Sequence, residues 1–268
     1  MEDMDINIYF EEMAKSVWDK AFFMDKIIGA RCVIDFGCAD GAMIRFLARI
    51  FPDVTFIGYD RKKEFVDKAR SIEPFFNNVV FFDSLLYVKQ YCDIHRFRGE
   101  NLCINFSSVL HEVYSFSYDI FGKPAINSLI EYLEPKYITI RDMYCDDPVP
   151  FTARDNIAGI TNTLTHAESN EKAFTDFVHK FGPISNYSDV AHYLMKIQWY
   201  GNGWEQELKE NYFSWNIYDF IHDIGDKYNI MFECRYQLPY LTELWTRNLG
   251  WYNPDVHTHA QFILRREE

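Results

Sequence analysis

The run VIDFGCADGAMIRFL, residues 33–47, constrains the fold more than any other stretch of the chain. A short apolar strand pattern leads into an acid. The acid leads into a glycine-containing turn, and the turn into a helical pattern. Such a strand–turn–helix opening usually holds a nucleotide-like cofactor, because glycines let the backbone approach the ligand and the helix start offers free N–H groups.

The same alternation continues along the chain. RCVIDF reads as a buried strand and GAMIRFLARIF as a helix, with Pro52 in the turn after it. VTFIGYD and NVVFFD are further strands, separated by the helical KKEFVDKARSI, and SLLYVKQYC continues as a short helix. ENLCINFSSVLHEV begins as a fourth strand and leaves it near Ser107. PAINSLIEYL carries a helical stripe at Ile126, Leu129, Ile130 and Leu133, and KYITIRDM is a fifth strand. Residues 9–28 fit an amphipathic helix through Phe10, Met13, Val17, Ala21, Met24 and Ile28. Strands without a strict period of two, alternating with helices, predict a parallel sheet covered on both faces. Ligands bind beyond the carboxyl ends of such strands. Three of those ends carry acids: Asp35, Asp60 and Asp83.

After Met143 the chain turns polar. Residues 144–206 read as an inserted helical lid, between a cofactor-binding part at 1–143 and a C-terminal part at 207–268. NIMFECRYQL and HTHAQFILRR are two more strands, giving seven in all. The link between them, PYLTELWTRNLGWYNPDV, is long for a hairpin but has room for a helical turn.

The turn itself discriminates between cofactors. A dinucleotide calls for G-x-G-x-x-G, and here Gly37, Ala39 and Ala42 occupy those positions. Asp40 also places a negative charge where a pyrophosphate would sit. Asp60, about twenty positions after Gly41, suits an acid that grips a ribose hydroxyl pair. With these features the chain resembles the class I S-adenosylmethionine-dependent methyltransferases, whose first motif runs acid-x-Gly-x-Gly-x-Gly. Asp35, Gly37, Ala39 and Gly41 match it with one change, and Cys38 lies within the turn. The resemblance covers about 33–143 and 208–265. It implies a Rossmann-like, doubly wound α/β fold whose mostly parallel sheet has an antiparallel last strand. It implies S-adenosylmethionine as cofactor, Asp60 with Arg61 at the ribose, Asp83 with Ser84 at the adenine, and Asn105 with Phe106 opening the loop after the fourth strand.

Methyl transfer needs alignment first, and a base only where the acceptor must lose a proton. His111 has the intrinsic pKa for that role, and Glu112 suits orienting it or binding a cationic acceptor. The competing reading is that His111 opens a helix and bonds locally. Tyr114 and Tyr118 are candidate walls of the acceptor pocket. Arg141, beside Asp142, suits either a polar substrate or bracing the lid, and Trp199 and Trp204 in the lid suit pocket shaping or packing. His257 and His259 would share a strand face, but no third ligand accompanies them, so no metal is expected.

The net charge of −13 argues against avid nucleic-acid binding. The six cysteines form no CxxC pair, which suits free thiols in a reducing compartment. The acidic N-terminus lacks a signal-peptide pattern, and no apolar run approaches the about 20 residues of a membrane span. The expectation is a cytoplasmic methyltransferase acting on nitrogen or oxygen of a small molecule. A methyltransferase-fold scaffold without turnover, or an RNA or protein methyltransferase, are the alternatives.

Overall fold

The computed structural model describes residues 16–116, 122–145, 147–166, 170–250 and 252–267. In chain order the elements are α1 (Val17–Lys20), β1 (Cys32–Phe36), α2 (Ala42–Ile50), β2 (Thr55–Tyr59), α3 (Lys63–Ser71), β3 (Val79–Phe82) and α4 (Leu85–His95). A 3-10 turn at Gly99–Asn101 leads into β4 (Leu102–Ser107), α5 (Leu110–Ser115), α6 (Lys123–Leu133) and β5 (Tyr137–Met143). Then come α7 (Ile157–Thr165), α8 (Glu171–Phe181), α9 (Tyr187–Ile197), α10 (Trp204–Glu207), α11 (Ile217–Asp223), β6 (Tyr228–Tyr236), α12 (Pro239–Leu249) and β7 (His259–Arg266).

The strands form one seven-stranded sheet in the order β3-β2-β1-β4-β5-β7-β6. Strands β1 to β5 pair in parallel. The last two strands are antiparallel. Arg266 N donates to the Lys136 carbonyl at one end of β5 and Tyr144 N to the Thr258 carbonyl at the other, so β7 runs against β5. The order reverses at β1, which places the crevice beyond the carboxyl ends of β1 and β4. Every residue of those two strands is buried, which is why they read as continuous apolar runs rather than alternating ones.

The chain divides into two compact units. The first holds Ile6–Asp142, Ile217–Cys234 and Gln261–Glu268. Its core includes Phe23, Ile27, Val33, Ile44, Leu47, Phe56 and Ile263. The expected helix over 9–28 is short here. Phe10 and Met13 lie outside the described residues, and α1 ends at Lys20 before giving way to turns. The buried positions are Lys20, Phe23 and Ile27, while Ile28 is 78% exposed. The buried face is thus rotated by one residue from the expected one, because Phe23 and Ile27 bury more apolar surface than Ala21 and Met24.

The second unit holds Met143–Asn216 and Arg235–Ala260, more than the expected 144–206. It has an apolar core of its own, with Leu164, Phe177, Val190, Leu194, Leu241 and Trp245 among its members. Helix α12 supplies the last two and packs against α7 and α9. The link between the last two strands is therefore part of that core. Strand β7 starts at His259, which is buried, whereas His257 precedes it and is exposed, so the two imidazoles do not share a strand face. Among the described residues no helix is long and apolar enough to cross a membrane.

Candidate functional site

The turn after β1 is held from both sides. Gly37 N and Cys38 N donate to the Tyr59 carbonyl at 2.8 and 2.9 Å, so the turn is tied to the end of β2. Gly37 (φ 82°), Ala39 (φ 49°) and Gly41 (φ 73°) all take the left-handed conformation. A Cβ at Gly37 would come within 2.8 Å of Val109 Cγ2, and one at Gly41 within 2.3 Å of the Phe81 ring. Glycine is required at both for space as well as torsion. Ala39 fills the third motif position in the left-handed region, at a strain of about 1–2 kcal/mol.

Asp60 locks this arrangement. Its Oδ2 accepts from Ala39 N at 3.0 Å and its Oδ1 from Lys62 N at 2.9 Å. A carboxylate has about four lone-pair sites, so two remain for a ligand. Burial raises the Asp60 pKa, against the opposing effect of the two N–H donors. Asp40 behaves differently. Its Oδ1 accepts from Ala42 N at 3.0 Å, so it occupies the start of α2 that a pyrophosphate would need. The residues therefore suit an adenosine cofactor without phosphates and do not suit a dinucleotide.

A cleft of about 700 Å³, counting the solvent at its mouth, opens beside the turn. Of the expected residues, Gly37, Ala39, Asp60, Arg61 and Glu112 line it. The aromatic walls Phe36, Tyr59, Phe65 and Phe116 line it too, as do Ser108 and Val109. None of these six was named from the sequence, although Phe36 and Tyr59 end β1 and β2, and Ser108 and Val109 directly follow β4, where the open-sheet rule puts the ligand.

Other expected residues support the cleft from behind. Asn105 Nδ2 donates to Asp35 Oδ1 at 2.7 Å, and Thr139 Oγ1 donates to Asn105 Oδ1 at 2.8 Å. All three are buried in the sheet. Phe106 is core, packed between Phe36 and Phe220. Cys38 is buried, and burial pushes its thiol well above the usual range. Asp83 and Ser84 follow β3 and are half-buried, and they are not among the residues lining the cleft.

Burial pushes the Asp35 carboxyl from its ordinary 3.8 up to about 6, against Asn105 and Lys20, which pull it down. A raised folded-state pKa gives stability that is whole below the unfolded value and lost as pH rises through about 6. Asp35→Asn, which mimics the protonated form, should therefore gain on the wild type between pH 4 and pH 8, by roughly 3 kcal/mol at most. Urea melts at the two pH values measure this. An unchanged difference between variant and wild type would show that Asp35 does not titrate in this way.

The loop after β4 is organised by Asp142. Its Oδ2 accepts from the N–H groups of Val109, Leu110 and His111 at 3.0, 2.6 and 3.2 Å. Its Oδ1 lies 2.7 Å from His111 Nδ1. A carboxylate only accepts, so Nδ1 carries the proton. Asp142 thus caps the start of α5 and fixes the His111 ring at once. His111 is buried and is not among the cleft-lining residues; the next residue, Glu112, is. Burial raises the Glu112 pKa, while His111 and Lys62 pull it down.

Arg141 is also buried. Its Nε donates to Asp19 Oδ2 at 2.6 Å and its Nη1 to Ser108 Oγ at 2.9 Å. It braces α1 and the cleft-lining Ser108 rather than facing the cleft. Tyr114 is turned toward α11, its hydroxyl donating to Asp223 Oδ2 at 2.8 Å, with Lys123 Nζ 3.8 Å from its ring centroid. It is a packing residue of the first unit and not a wall of the cleft. Tyr118 lies outside the described residues. In the second unit Trp199 is half-buried after α9, and Trp204 is core, its Nε1 donating to Asp176 Oδ2 at 3.2 Å.

No protein-family model matches the chain, and comparison with curated proteins gives no match. Solved structures do match. An S-adenosylmethionine-dependent methyltransferase from Mesorhizobium loti aligns with a TM-score of 0.50 at 13% identity, over 94% of this chain and 98% of that one. The plantazolicin methyltransferase BamL, in complex with a triazolic desmethylPZN analog and SAH, gives 0.47 at 12% identity over 98% and 90%. An O-methyltransferase family protein from Burkholderia thailandensis gives 0.45 at 14% identity over 96% and 56%. At such identity the likeness to the Mesorhizobium loti protein speaks to architecture alone. This chain has the Rossmann-like methyltransferase fold.

Proposed function

We propose that the chain is an S-adenosylmethionine-dependent methyltransferase that acts on a nitrogen or oxygen atom of a small molecule. One observation carries the reading. The left-handed turn at Gly37–Gly41 and the Asp60 carboxylate share the wall of a cleft beyond the strands' carboxyl ends, while Asp40 occupies the helix start that a pyrophosphate would need. The likeness in fold to a methyltransferase supports it.

The cofactor, when bound, supplies a methyl group already activated by a sulfonium. The protein's share is positioning. Asp60 would hold the ribose hydroxyls, and the backbone at Gly37 and Ala39 would lie close to the ligand. Tyr59 and Phe65 would cover apolar surface. Glu112, Ser108 and Val109 would face the acceptor from α5 and its approach. His111 holds α5 in place through Asp142 and is read as a positioning residue. The free cysteines suit action in a reducing compartment such as the cytoplasm.

Thermal melts with S-adenosylmethionine, S-adenosylhomocysteine and NAD test the cofactor. The first two should each raise the melting temperature, and NAD should not. Ligand at 100 times its Kd stabilises by about 2.7 kcal/mol, which is several degrees for a chain of this size. A shift with NAD alone would overturn the reading. No shift with any of the three would favour a scaffold.

A further inference from the structure

We propose that the acceptor is an amine, bound as its cation between the Glu112 carboxylate and the aromatic walls of the cleft. The proposal rests on the methyltransferase reading and adds the class of acceptor.

Glu112 is the group that asks for a ligand. It is half-buried, it lines the cleft, and among the described residues its carboxylate takes no hydrogen bond. The other acid of that wall differs, since Asp60 holds two backbone N–H groups. A half-buried carboxylate that lines a cleft and has open acceptor sites is the group a cationic ligand can bond. Arg61 and Lys62 share the cleft, and both act to lower the Glu112 pKa. Burial outweighs them, so one more positive charge still stabilises the ionised form. Lys62 Nζ is also engaged 4.8 Å from the centroid of the Phe65 ring.

The rest of the wall fits the same ligand. Phe36, Tyr59, Phe65 and Phe116 line the cleft. Ring faces attract cations by about 0.5–2 kcal/mol and offer nothing comparable to a hydroxyl or a carboxylate. An ammonium gives Glu112 charge-assisted hydrogen bonds, whereas a carboxylate acceptor would be repelled. The proton balance is also served. A protonated amine has no lone pair, and Glu112 can take one proton: the N–H bond breaks, the carboxyl O–H bond forms, and the pair stays on nitrogen. A carboxyl with a raised pKa suits that transfer better than an ordinary one. Asp142, which pins the start of α5, keeps Glu112 at this wall.

The cofactor brings positive charges of its own, so the test separates the two sources of a cation. Protein loaded with S-adenosylhomocysteine is titrated calorimetrically with phenethylamine, 2-phenylethanol and phenylacetate, three probes on one skeleton. Phenethylamine should bind about tenfold more tightly than either of the others. Glu112→Gln should abolish that preference with less than about a twofold change in S-adenosylhomocysteine affinity, and Glu112→Asp should keep part of it. Equal or tighter binding of the alcohol or the carboxylate, or no binding of the amine, overturns the proposal. So does an amine preference that survives Glu112→Gln. If the variant weakens S-adenosylmethionine but not S-adenosylhomocysteine, Glu112 serves the sulfonium and the proposal fails. If wild-type protein binds neither cofactor form, the methyltransferase reading itself has failed and takes this proposal with it. Should Glu112→Gln not fold, the three-probe comparison on the wild type still decides.

Discussion

Asp60→Ala is expected to weaken S-adenosylhomocysteine binding about 100-fold in a calorimetric titration, equivalent to about 2.7 kcal/mol. Two losses combine. The ribose loses a charged acceptor, and hydrogen bonds to charged groups contribute about 1.5–3 kcal/mol. The turn also loosens, because Ala39 N and Lys62 N lose the oxygens that hold them at 3.0 and 2.9 Å. Asp60→Asn retains one acceptor oxygen and should lose roughly tenfold instead. The two variants separate the roles. If both bind as the wild type does, the ribose lies elsewhere. If Asn behaves like Ala, the charge matters more than the geometry of the turn.

The second large effect is expected at Asp142. Asp142→Ala removes the acceptor for three backbone N–H groups and the partner of His111 Nδ1 together. A helix N-cap alone is worth about 1 kcal/mol. A buried charged acceptor serving four donors is worth more, because all four are left buried and unmade, and about 3–5 kcal/mol is the expected loss in a urea melt. Hydrogen exchange locates the damage. The amides of Val109, Leu110 and His111 should lose protection first, while those of β1 stay slow. Asp142→Asn should be milder, since its amide oxygen can replace Oδ2, but its NH2 group then confronts the Nδ1 proton and the imidazole must change tautomer. Uniform loss of protection across the sheet in Asp142→Ala would show a global role instead of a local one.

The parts of this molecule that could be read in the sequence are those written locally. Short apolar runs with an acid at or near the end marked the strands β1, β2 and β3. The glycines at 37 and 41 marked the turn because their torsions admit few other residues. Asp60 was legible as an acid at a strand end. Asp83 had the same local pattern, and it is not among the residues lining the cleft. Asp142 was read as one half of a pair with Arg141, but its work is on amides more than thirty residues earlier in the chain. Arg141 was likewise open between lid and substrate, and its partner proved to be Asp19 on α1. Helix α12 was hidden because its apolar residues complete a core whose other half precedes β6 in the chain.

The side-chain row beneath the cleft has a consequence for folding. Asp35 stands opposite Asn105, and Asn105 opposite Thr139, on three neighbouring parallel strands. Strands buried on both faces lack the in-and-out alternation that elsewhere decides how they align. A slip of one position between β1 and β4 would set Asn105 against Ile34 or Phe36, and Asp35 against Phe106 or Ile104. It would also strand a carboxyl and an amide in the interior, each without its partner. The row therefore works as a key in a lock of otherwise interchangeable rungs, and it lets the three central strands zip in one alignment only. A chain in which all three were valine would still make a sheet, but with several near-equal ways to align it.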